Sequence, residues 1–166
     1  MYKKAILAIF TSVSLLGCVT LYEDVPLSDD HASVSFVKGY KQGHLFSSKS
    51  TVAEFYVYPE NDCTKPERVA FFSWGIEEDI TRRISVSQPV KVYAQMLDYT
   101  VQGINDSLEE TCATIVTFLP QKNQTYIITI SGTGAQCMLD VVNQNTNSAP
   151  QDLKQFKPES LDAKCK

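Results

Sequence analysis

Between Val34 and Asn143 the chain is cut into short segments whose apolar residues recur at every second position, with Gly, Pro, Asn and Ser clusters between them. A period of two sends alternate side chains to opposite faces of a pleated strand, whereas a helix needs a period of 3.6. Eight segments fit: VSFV (34–37), VAEFYVYP (52–59), RVAFFSW (68–74), ITRRISVS (80–87), PVKVYAQML (89–97), CATIVTFL (112–119), TYIITIS (125–131) and QCMLDVVN (136–143). In VAEFYVYP, residues Ala53, Phe55 and Val57 share one face, and Glu54, Tyr56 and Tyr58 share the other, which is expected to be the wet one. Enrichment in β-branched and aromatic residues agrees with strand. Seven or eight short strands at turn-punctuated spacing predict an all-β chain folded as an antiparallel β-sandwich, a barrel being the alternative closure.

The connections carry their own signals. CATIVTFL and TYIITIS flank PQKNQ, which predicts a hairpin. INDSLEET (104–111) holds Ser107 and Glu110 in capping-box spacing and predicts one helical turn between strands. NQNTNSAP (143–150) is rich in turn formers and reads as a loop. QDLKQFKPESLDAKCK (151–166) reads as a polar tail in which Leu153 and Phe156 are the residues able to dock.

The N-terminus constrains location rather than fold. MYKK supplies Lys3 and Lys4, and an apolar run follows from Ala5 to Gly17. The run is too short to span a bilayer, which takes about 20 helical residues. A short apolar stretch after positive charge and before small residues fits a signal peptide. Leu15-Leu16-Gly17-Cys18 resembles the bacterial lipobox. That resemblance implies cleavage before Cys18, diacylation of its thiol, and an N-terminal lipid anchor. Several acyl chains on one residue hold a protein at a membrane where one chain does not. A plain secretory signal with a chance cysteine is the alternative. Val19 stands where an inner-membrane retention signal usually has Asp, which by resemblance to enterobacterial lipoproteins implies the outer membrane, with the domain in the periplasm. The expected organisation is a signal peptide over 1–17, a lipidated tether over 18–32, and a sandwich domain with its polar tail over 33–166.

Losing Lys3 and Lys4 with the signal peptide leaves 13 Lys and Arg against 19 Asp and Glu, a net charge near −6. An acidic chain without basic clusters argues against nucleic acid and against attraction to anionic lipid. Membrane contact is therefore expected through the N-terminal lipid alone.

Four cysteines remain after Cys18: Cys63, Cys112, Cys137 and Cys165. An even count behind a secretion signal reads as disulfides in an oxidising compartment. No pair has the close spacing of a zinc or redox site. Cys112 shares a strand face with Val116 and Phe118, and Cys137 shares one with Leu139 and Val141. Both apolar faces point inward, so a Cys112–Cys137 bridge is expected. Cys63–Cys165 then remains to clip the tail. The stretch FLPQKNQTYIITI resembles a segment common in immunoglobulin-like and transthyretin-like sandwiches of envelope lipoproteins, where an aromatic-Pro strand end is followed, after a turn, by Tyr and alternating aliphatics.

Chemistry-bearing constellations are scarce. Asp29-Asp30-His31 has metal-ligand residue types, but a solvated tether beside a lipid accounts for it. His44 sits alone in a Gly/Ser-bearing loop. No nucleophile elbow, P-loop or dinucleotide fingerprint is present. Glu77-Glu78-Asp79 after Trp74 has the paired carboxylates of glycosidic chemistry, yet reads more simply as a solvated turn balanced by Arg82-Arg83. No catalytic, cofactor or metal residues are assigned. If the lipobox resemblance holds, the host it implies is bacterial and the sequons at Asn105 and Asn123 are chance matches.

The expected function is a non-enzymatic binding or accessory module of the bacterial envelope, recruiting a protein partner through a free strand edge. The alternative is recognition of peptidoglycan or a surface glycan through exposed Tyr56, Tyr58 and Trp74, since aromatic rings stack on sugars. An envelope hydrolase is the remaining reading.

Overall fold

The computed structural model describes residues 19–39, 49–58, 66–73, 79–102, 105–133 and 136–156, with backbone alone at 49–50, 99–102, 105–111 and 133. Nine strands follow one another: β1 (His31–Lys38), β2 (Lys49–Tyr58), β3 (Glu67–Phe72), β4 (Ile80–Ser85), β5 (Val90–Gln102), β6 (Asn105–Phe118), β7 (Thr125–Thr133), β8 (Gln136–Asn143) and β9 (Lys154–Phe156). They build two sheets, one four-stranded in the order β4-β1-β7-β8 and one five-stranded in the order β3-β2-β5-β6-β9. No helix occurs among the described residues. The fold is the expected all-β sandwich. One pair, β1 with β7, runs parallel, from Ser33 opposite Thr125 to Lys38 opposite Ile130.

The alternation read from the sequence sets the core. Val34 and Phe36 on β1, Phe55 and Val57 on β2, Val92 and Ala94 on β5, Val116 and Phe118 on β6, and Ile128 and Ile130 on β7 are all buried between the sheets. Aromatic pairs stitch the two layers. Phe36 meets Phe55 with ring centroids 5.2 Å apart, and Phe118 meets Tyr126 at 5.1 Å. Tilted pairs of this kind add about 0.5–1.5 kcal/mol each beyond their buried area. The expected Cys112–Cys137 disulfide is present and joins β6 of one sheet to β8 of the other.

Three expectations about connections are corrected. PQKNQ does not close a hairpin, because β6 and β7 lie in different sheets. The link arches across the end of the sandwich. Gln121 N–H donates to the hydroxyl of buried Tyr126 at 3.0 Å, and Asn123 takes a left-handed conformation with φ of 61°. The Gln121–Tyr126 contact fixes the corner where the chain passes from one sheet to the other. INDSLEET is not a helical turn. Asn105 to Glu110 pair with Leu97 to Gln102 as the outer half of the β5–β6 hairpin. The tail is partly strand: β9 adds to β6, with Phe156 opposite Ile115, and Leu153 packs on the core.

The N-terminal segment also differs from a bare tether. β1 begins at His31, inside the segment expected to be tether, and residues before it lie along the domain. The loop over 143–150 is a hydrogen-bonded turn, in which Asn143 N–H donates to Ser148 O at 2.9 Å and Thr125 N–H donates to Asn145 Oδ1 at 3.0 Å.

Candidate interaction surfaces

The outer face of the five-stranded sheet carries the residues expected to face water. Cross-strand pairing places Tyr56 of β2 opposite Tyr93 of β5, and Tyr93 opposite Ile115 of β6. Tyr58, Tyr93 and Ile115 bury one another in a second, smaller apolar cluster, against which Tyr56 and Ala113 pack. The Tyr56 and Tyr93 rings lie 6.0 Å apart. A carboxylate sits beside this cluster. Glu54 is 9% exposed and accepts hydrogen bonds from Tyr56 Oη at 2.9 Å, Gln95 Nε2 at 2.6 Å and Arg68 Nη1 at 3.4 Å. Tyr93 Oη in turn donates to Gln95 Oε1 at 2.6 Å. Arg68 stacks over Phe71, 5.3 Å from its centroid.

Burial disfavours the tyrosinate, and the Glu54 carboxylate beside it adds repulsion, so the Tyr56 hydroxyl is held well above its ordinary range. Burial alone pushes Tyr58 up. Of the three aromatics expected to meet a ligand, Tyr58 retains 6% of its surface and Tyr56 is half-buried with its hydroxyl engaged. Trp74 lies outside the described residues.

The sheet edges are treated unequally. Residues 20–25 run across β3 and β4, the outer strands on one side of the sandwich. Arg68 N–H donates to Thr20 O at 2.9 Å, and Tyr22 N–H donates to Arg68 O at 3.1 Å. The segment then reaches β4. Val25 N–H and Tyr22 Oη both donate to Arg83 O, at 3.2 and 2.9 Å, while Arg83 N–H donates to Asp24 Oδ1 at 2.9 Å. The Arg83 side chain returns the contact, donating to Val25 O at 2.8 Å and pairing with Asp24 at 3.7 Å. Burial, with the charges of Asp24 and Glu67 behind it, pushes the Tyr22 hydroxyl up to about 12. On the opposite side, β9 covers only Ile115 to Thr117 of β6. β8 is the outer strand of its sheet, and no described segment pairs with its free side beyond the bridge from Asn143 to Ser148. Its side chains alternate, with Gln136, Met138 and Asp140 exposed and Leu139 and Val141 in the core. Met138 is 64% exposed.

At one end of the sandwich a cleft of about 430 Å³ is lined by Leu119, Gln121, Tyr126, Asn143, Ser148 and Asp152 among others. Its polar groups are already engaged: Asp152 accepts from Leu119 N–H at 2.7 Å, and Asn143 Nδ2 donates to Gln124 Oε1 at 3.2 Å.

Asp29, Asp30 and His31 do not converge. His31 Nδ1 contacts Asp29 backbone O at 2.8 Å, and Asp30 pairs with Lys122 at 2.6 Å. No group of three or more metal-ligating side chains exists among the described residues. Arg82 donates to Val69 O at 3.0 Å and Arg83 pairs with Asp24, and their expected balance with the acidic turn falls on residues outside the described ones. Cys18, His44, Cys63, Glu77, Glu78 and Cys165 lie outside the described residues. Gln95 and Arg68 as members of the Glu54 network, and the Asp24–Arg83 clasp, had no motif to announce them. The signal available was the placement of Gln95 and Glu54 on the same face of neighbouring strands, which needs the register to be known. No protein-family model matches the chain, and no curated protein matches it either.

Proposed function

We propose that this chain is a lipid-anchored module of the bacterial envelope that works by binding a protein partner and catalyses no reaction. The lipobox residues Leu15 to Cys18 carry the anchor, Val19 after the cysteine favours the outer membrane, and the domain faces the periplasm. The observation that supports binding is the unequal treatment of the edges. Residues 20–25 hold the backbone groups of Arg68 in β3 and Arg83 in β4, whereas among the described residues nothing pairs with the free side of β8 beyond Asn143, and Met138 stands exposed on that strand. Natural sheets block exposed edges because they recruit other strands. An edge strand open along most of its length suits strand addition by an extended segment of a partner.

A benzoylphenylalanine placed at Met138 in the full-length protein, irradiated in intact cells, tests this. A single envelope protein captured in near-stoichiometric yield, and lost when the same probe is placed at exposed Thr81 on β4, is the expected result. Equal capture at both positions, or none at Met138, refutes the β8 assignment.

A further inference from the structure

We infer that residues 20–25 act as a short leash that seats one end of the sandwich against the phospholipid surface holding the anchor, with Leu27 in contact with lipid. The inference rests on the lipoprotein reading of Cys18. The leash is built from backbone and side-chain bonds that begin at Thr20 O and end at the Asp24–Arg83 pair. Cys18 precedes Thr20 by two residues, so its Cα lies within about 7 Å of the first docked residue, given the length of an extended peptide unit. A lipid on that thiol leaves the domain no room to stand away from the bilayer.

The leash also selects the end that faces the membrane. β3 begins and β6 ends at the same end of the five-stranded sheet, as the pairings Glu67 with Val57, Val57 with Val92 and Val90 with Phe118 show. β1 begins there too, since Ser33 is opposite Thr125 at the start of β7 and Asn123 N–H donates to His31 O. The exposed large apolar side chains follow this geometry. Val19 and Leu21 lie on the leash, Leu27 precedes β1, and Leu119 follows β6, whereas among the described residues only Met138 and Phe156 are comparably exposed elsewhere. Leu27 is 77% exposed, at a tight turn closed by Asp29 N–H to Pro26 O. Two of the neighbouring carboxylates are paired, Asp24 with Arg83 and Asp30 with Lys122, while Glu23 and Asp29 are exposed. Exposed apolar side chains among acidic neighbours fit a zwitterionic surface such as phosphatidylethanolamine and not anionic lipid. The start of β8, with Gln136 exposed, is then at the end away from the membrane.

The full-length protein carrying benzoylphenylalanine at Leu27 or at Gln136, irradiated in intact cells, tests the seating. Palmitate incorporation at Cys18 is read on the same samples. With Cys18 labelled, phospholipid adducts are expected severalfold more abundantly at Leu27 than at Gln136. Equal adduct at the two positions, or a protein adduct replacing lipid at Leu27, overturns the seating while leaving the anchor intact. A Gly/Ser insertion of about ten residues between Val19 and Thr20 adds roughly 16–19 Å of reach and is expected to drop the Leu27 adduct to the Gln136 level. An undiminished yield overturns the leash. Absence of palmitate at Cys18 is the separate failure, of the lipoprotein reading and the seating together.

Discussion

Removing the Cys112–Cys137 bridge yields a loss of stability whose size follows from chain topology. The bridge links residues 25 apart in sequence and ties β6 to β8, strands of different sheets. Freeing that loop in the unfolded chain costs about 3.5 kcal/mol of stability at 25 °C on the chain-entropy account. Cys112 is buried and Cys137 packs against the core, so Cys112→Ala/Cys137→Ala also gives up packing worth roughly 1 kcal/mol. For a domain of this size each kcal/mol moves Tm by roughly 3–5 °C, which makes the expected fall about 13–22 °C. Calorimetry of the parent and the double variant under non-reducing conditions measures it. Cys112→Ala alone is expected to fall nearly as far, because either substitution opens the bridge. A double variant melting within about 3 °C of the parent would refute the reasoning, since it would mean that the loop is already constrained in the unfolded chain. Non-reducing peptide mapping provides the covalent check, and a Cys63–Cys112 peptide would contradict the pairing.

Other perturbations probe the remaining contacts. Glu54→Ala strands the donors of Tyr56, Gln95 and Arg68 in a largely buried setting and is expected to cost about 2–4 kcal/mol in denaturant unfolding, with Glu54→Gln losing less. The Tyr22 hydroxyl is raised above its unfolded value of 10.0 to about 12, so the stability that it contributes is intact below pH 10 and is lost as pH climbs towards 12. Tyr22→Phe is expected to flatten that alkaline loss in a pH series of melts. Gly132 holds φ of +148° opposite Cys137, and a methyl there runs into Gln136 O, so Gly132→Ala is expected to lower Tm by several degrees.

Much of the sandwich was legible because burial writes a period of two into the sequence. β2 shows it plainly, with Ala53, Phe55 and Val57 inward as read. The same logic placed Cys112 and Cys137 on inward faces where they could meet, one of three possible pairings, and the structure joins them. The failures share a cause. PQKNQ is short enough for a hairpin, and nothing local distinguishes a hairpin from an arch between sheets. INDSLEET satisfies a local helix-start pattern, but pairing with Leu97 to Gln102 outweighs propensity in a segment with a strand already beside it. The leash was invisible because backbone groups hold much of it, and these leave no pattern in side-chain types. Tyr56 and Tyr58 were placed on the correct face, but a face turned from the main core is not thereby wet. Tyr93 and Ile115 build a second cluster on it.

The parallel pairing of β1 with β7 dictates an order of assembly. The first strand finds its neighbours far along the chain: Ser85 lies opposite His31, and Thr125 lies opposite Ser33, 92 residues later. The four-stranded sheet cannot be completed until β7 and β8 exist, whereas β2, β3, β5 and β6 find one another earlier along the chain. Contacts this distant in sequence make for slow closure, on the millisecond-to-second scale of β-sandwiches. The arrangement leaves β1, with its apolar Val34 and Phe36, without its β7 neighbour and in need of shielding throughout that interval.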